Sequence, residues 1–234
     1  MRLVFLEARS KKIEVQTVMS LRLKISVNCL VLVTIVLLNP SKGLAQETGV
    51  PPLDTPRVER VYPPYSASEA SILLPRERDG SVLGVWSTCA NAPALCKAWL
   101  GFTDYLLQES TLPIRDRELL ILRIGYLNQG AYEWAAHRSL ALSVGISESE
   151  LKAITVGSAH SDWSDWDSTL LRAAEELHNG ALISDATWEG LSEHYTKRQM
   201  METVFTVGQY NMVAMYLNSL GVQFEEGWIG YPIE

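Results

Sequence analysis

The sequence predicts an all-α protein, a bundle of about six to seven helices. Three observations carry that expectation. From residue 91 onward, apolar side chains recur at spacings of three and four. The stretches so marked are bounded by capping residues, glycine or proline. No segment alternates apolar and polar residues convincingly with period two, as a half-buried strand would. Short connections between the helices then imply a bundle.

The elements follow in chain order. Residues 25–38 read ISVNCLVLVTIVLL, an apolar run of 14, preceded by Arg22 and Lys24 and followed by Gly43-Leu44-Ala45. A basic start, a short apolar stretch and small residues at the end form a secretory signal, with cleavage expected after Ala45. The run is short of the roughly 20 residues of a membrane-spanning helix, and an uncleaved anchor is the alternative. Cys29 opens the apolar run and is not placed like a lipoprotein cysteine. Met19 lies just before Arg22, so residues 1–18 read as an extension from an early start codon. Residues 46–90 form a leader with Pro51, Pro52, Pro56, Pro63 and Pro64, then an irregular stretch. In it Ser68 to Leu74 has room for a helical turn or two before Pro75.

The helical domain is expected over 91–221, with 222–234 as a tail. Asn91 can cap a first helix, with Pro93 in its first turn, to about Glu109. Pro113 opens a second, to about Leu127, and Asn128-Gln129-Gly130 breaks it. A third covers about 131–144 and stops at Gly145. Ser147 with Glu150 has the capping-box spacing for a short fourth. Trp163, Trp166, Leu170, Ala173 and Leu177 mark a fifth, stopping at Asn179-Gly180. Ser184 caps a sixth, to about Tyr195, and Thr196 with Gln199 caps a seventh that reaches Ser219 before Gly221. That last helix is apolar nearly all round, with Glu202, Thr206 and Gln209 as one narrow polar stripe. So little polar face implies a central helix or an interface between copies of the chain.

Charge excludes some partners. The 234 residues carry 20 Lys and Arg against 27 Asp and Glu. Removing 1–45 takes away seven basic and two acidic side chains and leaves 13 against 25, a balance of −12. A nucleic acid or an anionic membrane surface needs the opposite balance. No nucleic-acid partner and no stable membrane association after signal removal are expected. An exported protein meets oxidising conditions. Cys89 and Cys96 would stand roughly 10 Å apart on one continuous helix, too far to bridge. Cys89 falls before the expected helix start, so a disulfide and two free thiols both stay open.

Three side chains in the second and third helices suggest chemistry. Glu118 shares a face with Ile121, Leu122 and Gly125. A carboxylate there is either partnered or kept partly protonated by desolvation. Its plainer reading is a first-turn acid paired with Arg115 or Arg117. Glu133 and His137 are four apart and project from one face. The carboxylate can orient the imidazole and the imidazole can move a proton; the plainer reading is a surface pair. Glu175 and His178 have a spacing seen in di-iron bundles, but those need two such motifs, so no metal is expected. The chain lacks the glycine patterns of nucleotide sites and any C-x-x-C pair, and no cofactor is expected.

These residues resemble the carboxymuconolactone decarboxylase family, within the alkylhydroperoxidase-like superfamily. The resemblance rests on Arg117-Glu118-Leu119-x-Ile121-Leu122-Arg123, Tyr132-Glu133-Trp134-x-x-His137 and Gly145-Ile146-Ser147 before Glu150. Glu176-Leu177 with Ile183-Ser184 and Trp188, and Val207-Gly208-x-Tyr210-x-Met212, extend it to about 92–220. The peroxidase branch carries a C-x-x-C pair ending four residues before the histidine. Here Gly130 and Glu133 hold those positions, so disulfide-based peroxide reduction has no sulfurs there. The resemblance therefore implies an acid/base site of His137, Glu133 and Glu118. His137 would carry the proton, Glu133 orient it, and Glu118 act as a second acid/base or a fixed charge. Trp134 and Tyr132 are candidate pocket walls and Arg123, with Arg138 as the other choice, the candidate clamp for a substrate carboxylate. The implied activity is that of a cofactor-independent lyase or isomerase on a small organic acid or lactone, in a homotrimer or hexamer located in the periplasm or outside the cell. Two alternatives remain: a non-catalytic binder or scaffold, and a thiol-active protein using Cys89 and Cys96.

Overall fold

The computed structural model describes residues 53–231. The expected signal segment, 1–45, lies outside them. The described residues all fall in one unit of the chain, Gln46–Glu234. They form nine α-helices and no strand beyond an isolated bridge between Arg78 and Ser81. Seven of the helices are those read from the sequence: α3 (Pro93–Asp104), α4 (Ile114–Leu127), α5 (Ala131–Ser143), α6 (Glu148–Val156), α7 (Asp165–Gly180), α8 (Asp185–Ser192) and α9 (Lys197–Leu220). Two short ones, α1 (Ala67–Leu73) and α2 (Gly84–Cys89), raise the number above the six or seven expected. α2 spans under two turns, too little for a periodic pattern to register.

The helix ends follow local chemistry. Ser147 with Glu150 and Thr196 with Gln199 form the expected capping boxes, and Ser184 caps α8. Gly221 ends α9 in the left-handed region at φ 68°, which a residue without Cβ adopts freely. Asn91 does not cap α3. Ala92 holds that position, and the Asn91 amide donates to the carbonyls of Glu59 and Thr88 instead. α7 runs through Asn179-Gly180 and ends with Ala181 at φ 53°. Cys89 and Cys96 are disulfide-bonded. The chain turns between the end of α2 and Pro93, which brings their Cα atoms to 5.5 Å.

α4 lies at the centre. It packs against α5, α6, α7 and α9, and Asp116 to Gly125 are buried without a break. The central place that the composition of α9 suggested thus belongs to α4. α9 instead turns its polar stripe inward. Glu202, Thr206 and Gln209 are buried, while Met201, Val204, Phe205, Met212 and Met215 are 37–59% exposed. The inward stripe is mostly satisfied. Glu202 accepts hydrogen bonds from the Tyr105, Ser110 and Thr111 hydroxyls, the Thr111 amide and Arg198. Gln209 donates to the Thr103 hydroxyl at 2.9 Å. The tail after α9 folds back so that Phe224, Trp228 and Tyr231 lie against Tyr132, Trp134 and Tyr126.

Candidate active site

The site is built where α4 meets α5. Two glycines let these helices close on each other. The Gly130 amide donates to the Gly125 carbonyl at 2.7 Å. A Cβ on Gly125 would meet the Glu133 carboxyl at 2.9 Å, and one on Gly130 would meet both Gly125 O and Ala214 Cβ at 3.2 Å. Any larger residue at 125 would therefore push into Glu133.

His137 Nδ1 lies 2.7 Å from Glu118 Oε2. The Glu118 side chain is fully buried and that of His137 is 15% exposed. The Arg117 guanidinium donates to the other Glu118 oxygen at 3.3 Å and to the Leu107 carbonyl at 2.9 Å. Glu118 is thus a carboxylate held from behind by a cation and pointed at an imidazole. Such a partner fixes the proton on Nδ1 and leaves Nε2 free to accept or give another. The Tyr210 ring stands edge-on to the imidazole, with centroids 5.0 Å apart. Burial first, and the charge of Glu118 after it, push the Tyr210 phenol well above its ordinary range.

Glu133 is placed otherwise than expected. It does not orient His137; Glu118 does. Glu133 is 2% exposed, and neither of its oxygens has a hydrogen-bond partner in the protein. Burial pushes its carboxyl well above the usual range, which favours the protonated acid. The two groups nevertheless meet. Glu133 and His137 both line a cavity of about 160 Å³, walled by Trp86, Trp99, Tyr132, Tyr210 and aliphatic side chains. The walls of this cavity thus hold an oriented imidazole and the Glu133 side chain, whose carboxyl is buried beside it against Gly125. That combination can accept a proton from one atom of a bound molecule and donate a hydrogen bond to another.

Of the three residues expected to bind substrate, one lines the cavity. The Tyr132 ring lines the cavity, while its hydroxyl donates to Glu225 at 3.0 Å and accepts from the Val85 amide at 3.2 Å. Trp134 does not line it. It is fully buried between Tyr126 and Tyr231, a core aromatic. Arg123 is not a clamp for substrate either. It bonds Glu175 at 3.0 Å and the carbonyls of Ile154 and Thr155 at 2.8 and 3.1 Å, tying α4 to α6 and α7. Arg138 pairs with Glu148. Glu175 is spent on Arg123 and on Ser158, and among the described residues no cluster of His, Cys, Asp or Glu is set to hold a metal. The wall residues Trp86 and Trp99 escaped the sequence reading: Trp86 sits on α2, too short for a periodic signal, and Trp99 on α3 carried no motif to mark it. Tyr210 stood in the motif Val207-Gly208-x-Tyr210 but was not read as a site residue.

Fold and site together define an all-helical domain whose histidine, on α5, is paired with a glutamate from α4. Residues 93–176 match the carboxymuconolactone decarboxylase family, which bears out the resemblance read from the motifs. No curated protein sequence matches the chain. Solved structures similar in fold include the following three. One is described as the alkylhydroperoxidase AhpD core, an uncharacterized peroxidase-related protein from Ralstonia eutropha JMP134; it aligns at TM-score 0.60 and 20% identity over 68% of this chain and 85% of its own. An uncharacterized peroxidase-related protein from Silicibacter sp. TM1040 aligns at TM-score 0.62 and 17% identity, over 80% and 97%. The third is a debrominase, a cysteine-to-alanine variant in complex with 2,3,4-tribromopyrrole, at TM-score 0.56 and 16% identity over 70% and 90%. Among the described residues no helix is long and apolar enough to cross a membrane.

Proposed function

We propose that this chain is a cofactor-independent acid/base enzyme, an isomerase or lyase acting on a small carbonyl compound, with His137 as the proton carrier. The carrying observation is the 2.7 Å contact between Glu118 and His137 on the wall of a cavity that also holds Glu133. In the step we envisage, His137 Nε2 takes a proton from the carbon next to a carbonyl. The C–H electron pair becomes the C=C bond of an enol, and the Glu133 acid supplies the proton or hydrogen bond that the carbonyl oxygen needs. Return of the proton from His137 to the same or a conjugated carbon, and of the enol proton to Glu133, restores both groups. Loss of CO2 is the less supported variant, because Arg123 and Arg138 are engaged elsewhere. The thiol alternative has less support too: Cys89 and Cys96 are bonded to each other, and neither lines the His137 cavity.

The test is deuterium uptake from D2O into a panel of small lactones, keto acids and 1,3-dicarbonyl compounds, read by mass spectrometry. His137→Ala should lose roughly a hundredfold or more, the usual range for a general acid/base group. Glu118→Gln should lose less. A wild type that exchanges nothing above buffer in the whole panel sinks the enzyme reading and leaves a binding protein. The reading extends to assembly and location. The apolar row on α9 favours a homotrimer or hexamer, and light scattering that finds a monomer at micromolar concentration contradicts it. The signal-like segment favours export, with a mature protein starting near Gln46 by intact mass; recovery of the full-length chain from the cytosol of its host contradicts that.

A further inference from the structure

The cavity beside His137 has a size, a charge and an unfilled hydrogen-bond demand, and each restricts what enters it. Its volume is about 160 Å³. An engineered apolar cavity of about 150 Å³ in another protein holds benzene, so the space suits a single ring with a small substituent. None of its thirteen lining residues is Lys or Arg. The Arg117 guanidinium is the cation behind the site, but it stands on the far side of Glu118 and is bound to that carboxylate and to the carbonyls of Leu106 and Leu107. An anion entering here would be desolvated in an aromatic box that offers no Lys or Arg charge, with the Glu118 carboxylate 2.7 Å behind the imidazole. A hydrocarbon would fit the box but leave Glu133 without a partner.

The unfilled demand is specific. Buried polar side chains are nearly always paired. Glu133 has no protein partner at either oxygen, and the indole N–H of Trp99, on the same wall, has none either. Elsewhere in the lining the Thr103 hydroxyl is engaged with Gln209 and the Trp99 carbonyl, and the Tyr132 hydroxyl with Glu225 and the Val85 amide, while His137 Nε2 stays free for the proton. An acceptor brought in from outside would meet both the Trp99 N–H and a protonated Glu133.

We infer that the His137 cavity takes an uncharged, ring-sized molecule whose carbonyl oxygen is held by the Glu133 carboxyl, rather than a carboxylate substrate. This rests on the acid/base reading of the same cavity and narrows its substrate class to neutral cyclic carbonyl compounds, lactones among them. The raised protonation range of Glu133 agrees with a donor at that position.

Two probes of similar size decide it: phthalide, a neutral aromatic lactone, and benzoate, an anion at the pH used. Both are titrated into the full-length mature protein at pH 8, by calorimetry and by ligand-observed NMR. Phthalide is expected to bind at least tenfold more tightly than benzoate. Glu133→Gln keeps an N–H donor and should bind phthalide within threefold of wild type. Glu133→Leu, which keeps the bulk and removes the donor, should weaken phthalide at least tenfold. Equal binding of benzoate, undiminished phthalide binding by Glu133→Leu, or no phthalide binding by wild type each overturns the inference. If Glu133→Leu does not fold, the comparison of phthalide with benzoate decides alone. A wild type that binds phthalide with this selectivity but exchanges no deuterium with the carbonyl panel supports the inference and sinks only the acid/base reading.

Discussion

Glu133 ties the site to the stability of the whole domain, and Glu133→Gln measures the tie. In the unfolded chain this carboxyl ionises near 4.5; in the folded protein burial raises its range well above that. The native state therefore holds a proton that the unfolded state has released, over the whole window between the two values. The sign follows from linkage. Stability from a raised carboxyl is fully present below the unfolded value and is lost as pH rises towards the folded one. One proton retained corresponds to about 1.4 kcal/mol per pH unit. Glutamine has nearly the same shape and does not titrate. The stability difference between Glu133→Gln and wild type should then move in favour of the variant as pH rises above 4.5, with a slope of at most about 1.4 kcal/mol per pH unit. Near pH 5 the two should be close, because both side chains are then neutral and equally short of partners. Urea denaturation at pH 5, 6, 7 and 8, at one fixed protein concentration because assembly would add its own term, measures this directly. Parallel pH profiles for the two proteins would refute the reasoning. They would mean that Glu133 is ionised in the folded state, or is relieved by a partner, and that it is not a standing acid.

Three further outcomes follow from the contacts. Arg123→Ala leaves Glu175 and two carbonyls without their donor and should cost about 2–4 kcal/mol of stability by denaturation, while phthalide binding at 20 °C below the melting point stays within twofold. Burial would raise the Glu202 carboxyl, but hydrogen bonds from Thr111, Tyr105 and Arg198 outweigh it and hold it at about 2; its contribution is present above the ordinary 4.5 and lost as pH falls towards 2, so Glu202→Gln should flatten the acid side of the stability profile and leave the alkaline side alone. Cys89→Ser with Cys96→Ser opens a loop of about eight residues and should lower stability by about 2.5 kcal/mol on loop entropy, read as a drop in melting temperature equal to that of the wild type in reductant.

The fold was largely legible because its signals are local. Capping boxes at Ser147 and Thr196 and the stop at Gly221 act within a few residues, and each lies where the sequence indicates. What escaped was α2, too short for periodicity, and the direction in which α9 faces. Composition showed one narrow polar stripe on that helix and a wide apolar surround. The stripe points inward because its residues have specific work there: Glu202 gathers Tyr105, Ser110 and Thr111 at the π-helical turn Tyr105–Glu109, and Gln209 holds Thr103. A periodic pattern locates a stripe but does not say which side of it is the core, since polar groups can be buried when each finds a partner.

The site was legible to the extent that helix geometry constrains it. A helix advances 100° per residue, so positions three and four apart share a face. Glu133, Ala136 and His137, three and four apart, fall on one stripe and line the cavity, and Tyr132 reaches it with its ring from further round the helix. Trp134 stands three residues from His137, so spacing alone did not exclude it; the Tyr126 and Tyr231 rings hold it in the core instead. The same arithmetic separates Glu118 from Arg123. Five residues turn the helix by 500°, which leaves them about 140° apart, so a carboxylate aimed at His137 puts the arginine on the side of α6 and α7. What the spacing could not settle was which glutamate holds the imidazole. Glu133 is on the histidine's own helix at the favourable i,i+4 distance, whereas Glu118 comes from the preceding helix. The short Asn128-Gln129-Gly130 connection and the close approach at Gly125 bring Glu118 within 2.7 Å and leave Glu133 turned into the gap between the helices. The contact across helices displaced the contact along one, and the displaced carboxyl became the unpaired acid on which the proposed chemistry depends.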